Sequence, residues 1–140
     1  MKYIIIQAGG RGSRLETLTA NKPKALVPVD NLPMIFHLFK KYPEAHFKII
    51  ADYQKDTFKR YLKVFADVNY EVIESNEKGT CAGIGESLNK IPSDTPFMLV
   101  WCDLVLSNIA HIPEKTHKNY LGISKDFPCR WSYIDNKFEE

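Results

Sequence analysis

Two rhythms alternate along the chain. Short runs rich in β-branched and aromatic residues, at 3–7, 47–51, 70–74 and 97–101, each end at a polar or glycine-containing exit. They read as strands. Between the second and third, Phe58, Tyr61, Leu62 and Phe65 recur at i, i+3, i+4 and i+7, so "KDTFKRYLKVF" predicts an amphipathic helix packed on a sheet. Pro33 opens a second such stretch, "PMIFHLFKKY", at the first-turn position that suits proline, and "GTCAGIGESL" starts a third helix. Strands that alternate with helices call for an α/β fold with a mainly parallel sheet and crossover helices. After Asp103 the pattern weakens, and "NYLGIS" and "CRWSYI" are expected as strands joined by polar loops.

Composition narrows this frame. With 140 residues and 44% apolar content, the chain can bury one core, so residues 1–140 are expected to form a single domain. Nineteen basic residues are interspersed with seventeen acidic ones, and no basic face suited to polymeric nucleic acid stands out. Cys81, Cys102 and Cys129 form no CxxC pair, and this odd count fits reduced thiols in a cytoplasmic protein. Apolar runs are short, and neither export nor membrane insertion is expected.

The first strand empties into "AGGRGSRL", residues 8–15. In a parallel sheet this is the carboxyl edge, where ligands bind. Gly9, Gly10 and Gly12 let backbone N–H groups converge on an anion, and Arg11 and Arg14 add guanidinium groups suited to phosphate oxygens. A tight turn could also account for two or three glycines. A P-loop is excluded, because no lysine followed by Ser or Thr closes the stretch. A dinucleotide fingerprint would need glycine where Leu15 stands, and Asp52 lies about twice as far on as the roughly 20 residues expected. Neither motif explains "NKPKALVPV", in which a rigid proline turn could aim Lys22 or Lys24 back at the same phosphates.

Taken together, "AGGRGSRLETLTANKPKALVPVDNLPM" resembles the signature of the sugar-phosphate nucleotidyltransferases. "EKGTCAGI" is similar to the family's G-T-A-G segment, and "FMLVWCDLVL" to its hydrophobic strand ending in aspartate. The resemblance spans residues 3–106 and implies a Rossmann-like three-layer sandwich of the GT-A-like kind. It implies transfer of a nucleoside monophosphate from a nucleoside triphosphate to a sugar 1-phosphate, with pyrophosphate leaving. On matching positions, Ala8, Gly9, Gly10, Arg11, Gly12 and Ser13 would hold base and phosphates. Arg14 would bind the departing pyrophosphate, and Lys24 would bridge the α-phosphate and the acceptor phosphate. Asp103 would bind Mg2+, although an aspartate after a strand also caps loops. Gly79 and Thr80 would approach base or ribose, although close helix–sheet packing favours the same small residues. Cys102 stands where the family usually has glycine, and Cys81 where alanine is common.

Other eye-catching residues take plain readings. His37 falls on the apolar face of a helix, and His111 and His117 lie in a polar loop without partners at zinc-ligand spacing. Arg130 beside Trp131 fits the alternation of a strand. Family members continue well beyond this length, into a half that carries the acceptor pocket. The chain is therefore expected to be the nucleotide-binding half: a fragment that binds a nucleoside triphosphate but turns over slowly by itself, a short protein completed by a second copy in a homo-oligomer, or a nucleotide-binding module without catalysis. A phosphorylated acceptor other than a sugar, such as phosphocholine with a cytidine nucleotide, is the alternative chemistry.

Overall fold

The computed structural model describes residues 2–74, 79–104 and 118–122. Strand β1 (Lys2–Gln7) is followed by a 3-10 segment (Ser13–Thr19) and a 3-10 turn (Lys24–Leu26). A hairpin of β2 (Pro28–Val29) and β3 (Leu32–Pro33) then leads into α1 (Met34–Lys41). Next come β4 (Ala45–Ile50), α2 (Lys55–Phe65), β5 (Asn69–Ile73), α3 (Thr80–Leu88) and β6 (Phe97–Trp101).

The main sheet has the order β5-β4-β1-β6, and every neighbouring pair is parallel. From β1 the chain steps outward to β4 and β5, then returns to the opposite edge of β1 as β6. Strand side chains alternate between faces, and the core divides accordingly. Ile4 and Ile6 join Phe47 and Ile49 against Leu38 and Phe39 of α1 and Phe58 and Leu62 of α2. Ile5, Ile50 and Ile73 face the other way, with Ile84 of α3 packed against them. The result is the expected three-layer α/β/α arrangement. The crossover direction reverses beside β1, so its carboxyl end is the topological switch point where open α/β sheets bind ligands.

Local chemistry explains most boundaries, with two differences from expectation. Pro33 does not open α1 from within. It ends β3 with ψ 138, and Met34 is the first helical residue. Its turn chemistry lies just upstream, where Asp30 and Asn31 both adopt positive φ (49° and 59°), as a primed two-residue hairpin requires. His37 is half-buried and donates from Nε2 to the Val29 carbonyl at 2.9 Å, tying helix to hairpin. The second difference is that residues 119–122 form no strand, and no described strand lies beside β6 to pair with them. The remainder of "NYLGIS", all of "CRWSYI", and His111, His117 and Cys129 lie outside the described residues.

Candidate active site

Two backbone hydrogen bonds anchor the end of β1. Ala8 N–H donates to the Ile50 carbonyl at 2.9 Å, and Cys102 N–H donates to the Gln7 carbonyl at 3.1 Å. The chain then leaves through glycines, and Gly12 takes a left-handed conformation (φ 64°). A Cβ at Gly12 would lie 3.1 Å from both Lys24 Cβ and Thr19 Cγ2, so the loop rests directly on the lysine. Thr19, buried, donates its hydroxyl to the carbonyls of Gly12 (3.2 Å) and Glu16 (3.3 Å). From beyond β4, Tyr53 donates its hydroxyl to the Thr19 carbonyl at 3.0 Å, and the Arg11 guanidinium lies 5.5 Å from the Tyr53 ring centroid. The glycine loop is thus pinned at both ends.

Buried Pro23, Ala25 and Leu26 fix the segment that presents Lys24. The Lys24 ammonium forms an ion pair with the Asp103 carboxylate, joining residues far apart in sequence at the carboxyl edge of the sheet. Each keeps about a quarter to a third of its side-chain surface exposed (25% and 32%), so a ligand can reach the pair. Cys102, where the resemblance leads one to expect glycine, turns its thiol into the α1/α2-side core. Burial, with the negative charge of Asp103 beside it, pushes that thiol up to about 11.

A cavity of about 160 Å3 opens on the α3 side of the loop. Gln7 and Ile50 line it, with Gly9, Gly10, Ala51 and Asp52 along the strand ends and Gly79 and Thr80 at the start of α3. The small-residue segment packs at one position and borders the cavity at others. A Cβ on Gly83 would come within 2.5 Å of Ile50 Cγ2, so Gly83 serves helix–sheet packing. That packing seats α3 directly on Ile50 and brings Gly79 and Thr80 to the cavity. A Cβ on Gly10 would meet nothing within 4 Å, so this glycine leaves space open. Gln7 Oε1 is buried without a hydrogen-bond partner among the described residues. An acceptor left so costs about 1–3 kcal/mol, which makes a carboxamide at the end of an isoleucine run conspicuous.

The residues singled out in the sequence therefore fall into two adjoining groups. Gly9, Gly10, Gly79 and Thr80 line the cavity, while Gly12, Lys24 and Asp103 form a contiguous charged cluster. Ser13 and Arg14 lie exposed on the 3-10 segment that follows the loop. The Ala8 N–H serves the sheet, so any part Ala8 plays toward a ligand falls to the rest of its backbone. Sequence reasoning missed Gln7, Asp52, Tyr53 and Thr19. Position could have flagged Asp52 and Tyr53, which directly follow a central parallel strand.

Among the described residues no three His, Cys, Asp or Glu side chains cluster as a ready metal cage. No described helix is long and apolar enough to cross a membrane.

Comparison with known proteins agrees with this geometry. The family model for the MobA-like NTP transferase domain matches residues 4–118. The bifunctional protein GlmU of Methanocaldococcus jannaschii is 28% identical over 108 residues, covering 74% of this chain and 25% of that protein. A mannose-1-phosphate guanyltransferase of Aspergillus oryzae is 33% identical, covering 98% of this chain and 41% of its own length. In fold, the chain is similar to a UDP-glucose pyrophosphorylase solved with UDP-glucose, with a TM-score of 0.60 at 20% identity over 74% of this chain and 46% of that one. The chain thus spans less than half the length of these relatives.

Proposed function

From the premise that the chain belongs to the MobA-like NTP transferase family, with sugar-phosphate nucleotidyltransferases among its relatives, we propose that it binds a nucleoside triphosphate at the glycine loop. We further propose that it serves nucleotidyl transfer to a sugar 1-phosphate. In that reaction an acceptor phosphate oxygen bonds to the α-phosphorus, and the bond to the bridging oxygen of pyrophosphate breaks. Pyrophosphate departs with the electron pair. Two anions must approach, so the barrier falls mainly through positioning and charge neutralisation.

The observation that carries this reading is the contact of the glycine loop with Lys24 together with the Lys24–Asp103 ion pair. It sets an accessible ammonium beside the loop that would cradle the triphosphate. A compact ammonium can serve the α-phosphate and the incoming acceptor together, whereas the planar guanidinium of Arg14 suits the departing pyrophosphate. Gly9 and Gly10 admit the nucleotide closely, and Gly79 and Thr80 face its base or ribose.

A divalent cation such as Mg2+ fits the donor set. It keeps several waters and takes one or two carboxylates plus substrate phosphates, not a closed protein cage, and Asp103 offers one accessible carboxylate at the correct edge. When bound it would neutralise triphosphate charge. The residues themselves orient the phosphates.

The test is pyrophosphate release from a panel of nucleoside triphosphates with sugar 1-phosphates or phosphocholine as acceptors. Release that requires a sugar 1-phosphate and falls at least about a hundredfold in Lys24→Met is expected. Release with phosphocholine alone would move the acceptor to the other class. Nucleotide binding without release would reduce the chain to a binding module. No melting shift with any triphosphate at millimolar concentration would overturn the site.

A further inference from the structure

Gln7 lines the α3-side cavity, and its acceptor oxygen Oε1 is buried with no hydrogen-bond partner among the described residues. Its backbone carbonyl already holds Cys102, so only the carboxamide is left for a ligand. Resting on the proposed nucleotide site, we infer that Gln7 and Asp52 read the edge of the base and select guanine.

The chemistry of the lining leads there. Gly9, Gly10, Ala51 and Gly79 bring no polar side chain to the cavity, and Ile50 brings hydrocarbon. Among the described residues, the polar side chains of the lining are those of Gln7, Asp52 and Thr80. A carboxylate only accepts hydrogen bonds, and the unsatisfied atom of Gln7 is likewise an acceptor. Asp52 stands close beside the glycine loop, its Cβ 3.2 Å from where a Cβ on Gly9 would be.

Two acceptors at one cavity ask for a base edge with adjacent N–H donors. Guanine has them in N1–H and the 2-amino group. Uracil and thymine offer one N–H flanked by carbonyls, which would meet the second acceptor lone pair to lone pair. Adenine and cytosine place a ring-nitrogen lone pair beside their amino group, with the same conflict. The volume of about 160 Å3 suits one ring system, leaving ribose and phosphates to the loop outside.

Binding constants for GTP, ATP, CTP, UTP and XTP, with Mg2+ and with inorganic tripolyphosphate as a base-free probe, test this on the chain and two variants. For the chain as it stands, GTP should bind at least about tenfold tighter than ATP, the worth of roughly one hydrogen bond. In Gln7→Leu the GTP-to-ATP ratio should fall towards one, while the melting temperature without ligand rises because an unpaired buried amide is gone. In Asp52→Asn the amide can donate to the 2-oxygen of xanthine, so preference should move from GTP to XTP, a change that a merely structural residue would not produce. Equal binding of all nucleotides, or a GTP preference that survives both variants, overturns the base reading and leaves the phosphate site standing. If neither tripolyphosphate nor any nucleotide binds, the nucleotide site itself falls and the base reading with it.

Discussion

The two faces of the central sheet are built on different principles. On the α1/α2 face, aromatic and aliphatic side chains close over the strands, with the Phe39 and Phe47 rings 4.8 Å apart and Phe36 edge-on to Tyr61. On the α3 face, the buried apolar set is Ile5, Ile50 and Ile73. Beside it Lys48 donates to Glu71 at 2.6 Å, Lys90 pairs with the same carboxylate, and Phe97 and Trp101 stay 41% and 49% exposed. The first face holds the fold, and the second tolerates polar and small residues that a binding cavity needs. An unsatisfied Gln7 is affordable on the second face because the first has already secured the sheet.

Replacing the same residue type on each face is the most severe way to test this division. Phe47→Ala, in the α1/α2-side core, should cost about 3–5 kcal/mol in urea unfolding, whereas Phe97→Ala should stay within about 1 kcal/mol. Similar losses would erase the distinction between faces.

Gly83→Ala should come next, at about 1–3 kcal/mol, because the added methyl strikes Ile50 and must lift α3. It should also weaken triphosphate binding, since the same shift displaces Gly79 and Thr80. A stable variant with full affinity would mean that α3 seating does not shape the cavity.

Smaller effects come from the charges. On the α3 face, hydrogen bonds from Lys48 and then Lys90 hold Glu71 below its usual 4.5. At the end of β5, Lys55 and Lys59 from α2 pull Glu74 down to about 2. A carboxylate whose folded pKa is depressed contributes stability above its unfolded value and loses it as pH falls through the folded one. Melting temperature should therefore decline between about pH 4.5 and 2, and Lys48→Met should flatten the part owed to Glu71. An unchanged pH profile in Lys48→Met would remove that pair from the account.

The mildest comparison leaves the fold untouched. In a Cys129→Ser background, Cys81, exposed on the α3 side, should react with a thiol reagent at pH 8 far faster than buried Cys102. With its pKa near 11, Cys102 is thiolate in only about one molecule in a thousand at that pH. Equal labelling rates would show that Cys102 is not held in the core.

Period and punctuation carried most of the architecture. The strand β6 and the helix α2 have the bounds their residue patterns predict, because alternation and the 3.6-residue rhythm are local consequences of burying one face. The glycine loop, Lys24 and Asp103 could be found as residues for a similar reason, since phosphate chemistry draws on few residue types in a fixed order. Which glycine packs and which leaves room could not be read this way. Ile50 stands opposite Gly83, whereas open space stands opposite Gly10.

By itself, then, the sequence determined the α/β class, the order of the four main strands and three helices, and the chemical kinds of group at the carboxyl edge, all of which follow from neighbours a few residues apart. Tertiary structure alone decided that Lys24 meets Asp103, that Tyr53 braces the glycine loop through Thr19, that the Ala8 N–H is taken by the sheet, and that Gln7 Oε1 finds no partner among the described residues. Each of these depends on which strand lies beside β1, and that choice is made by burial summed over the whole sheet and not by any segment alone.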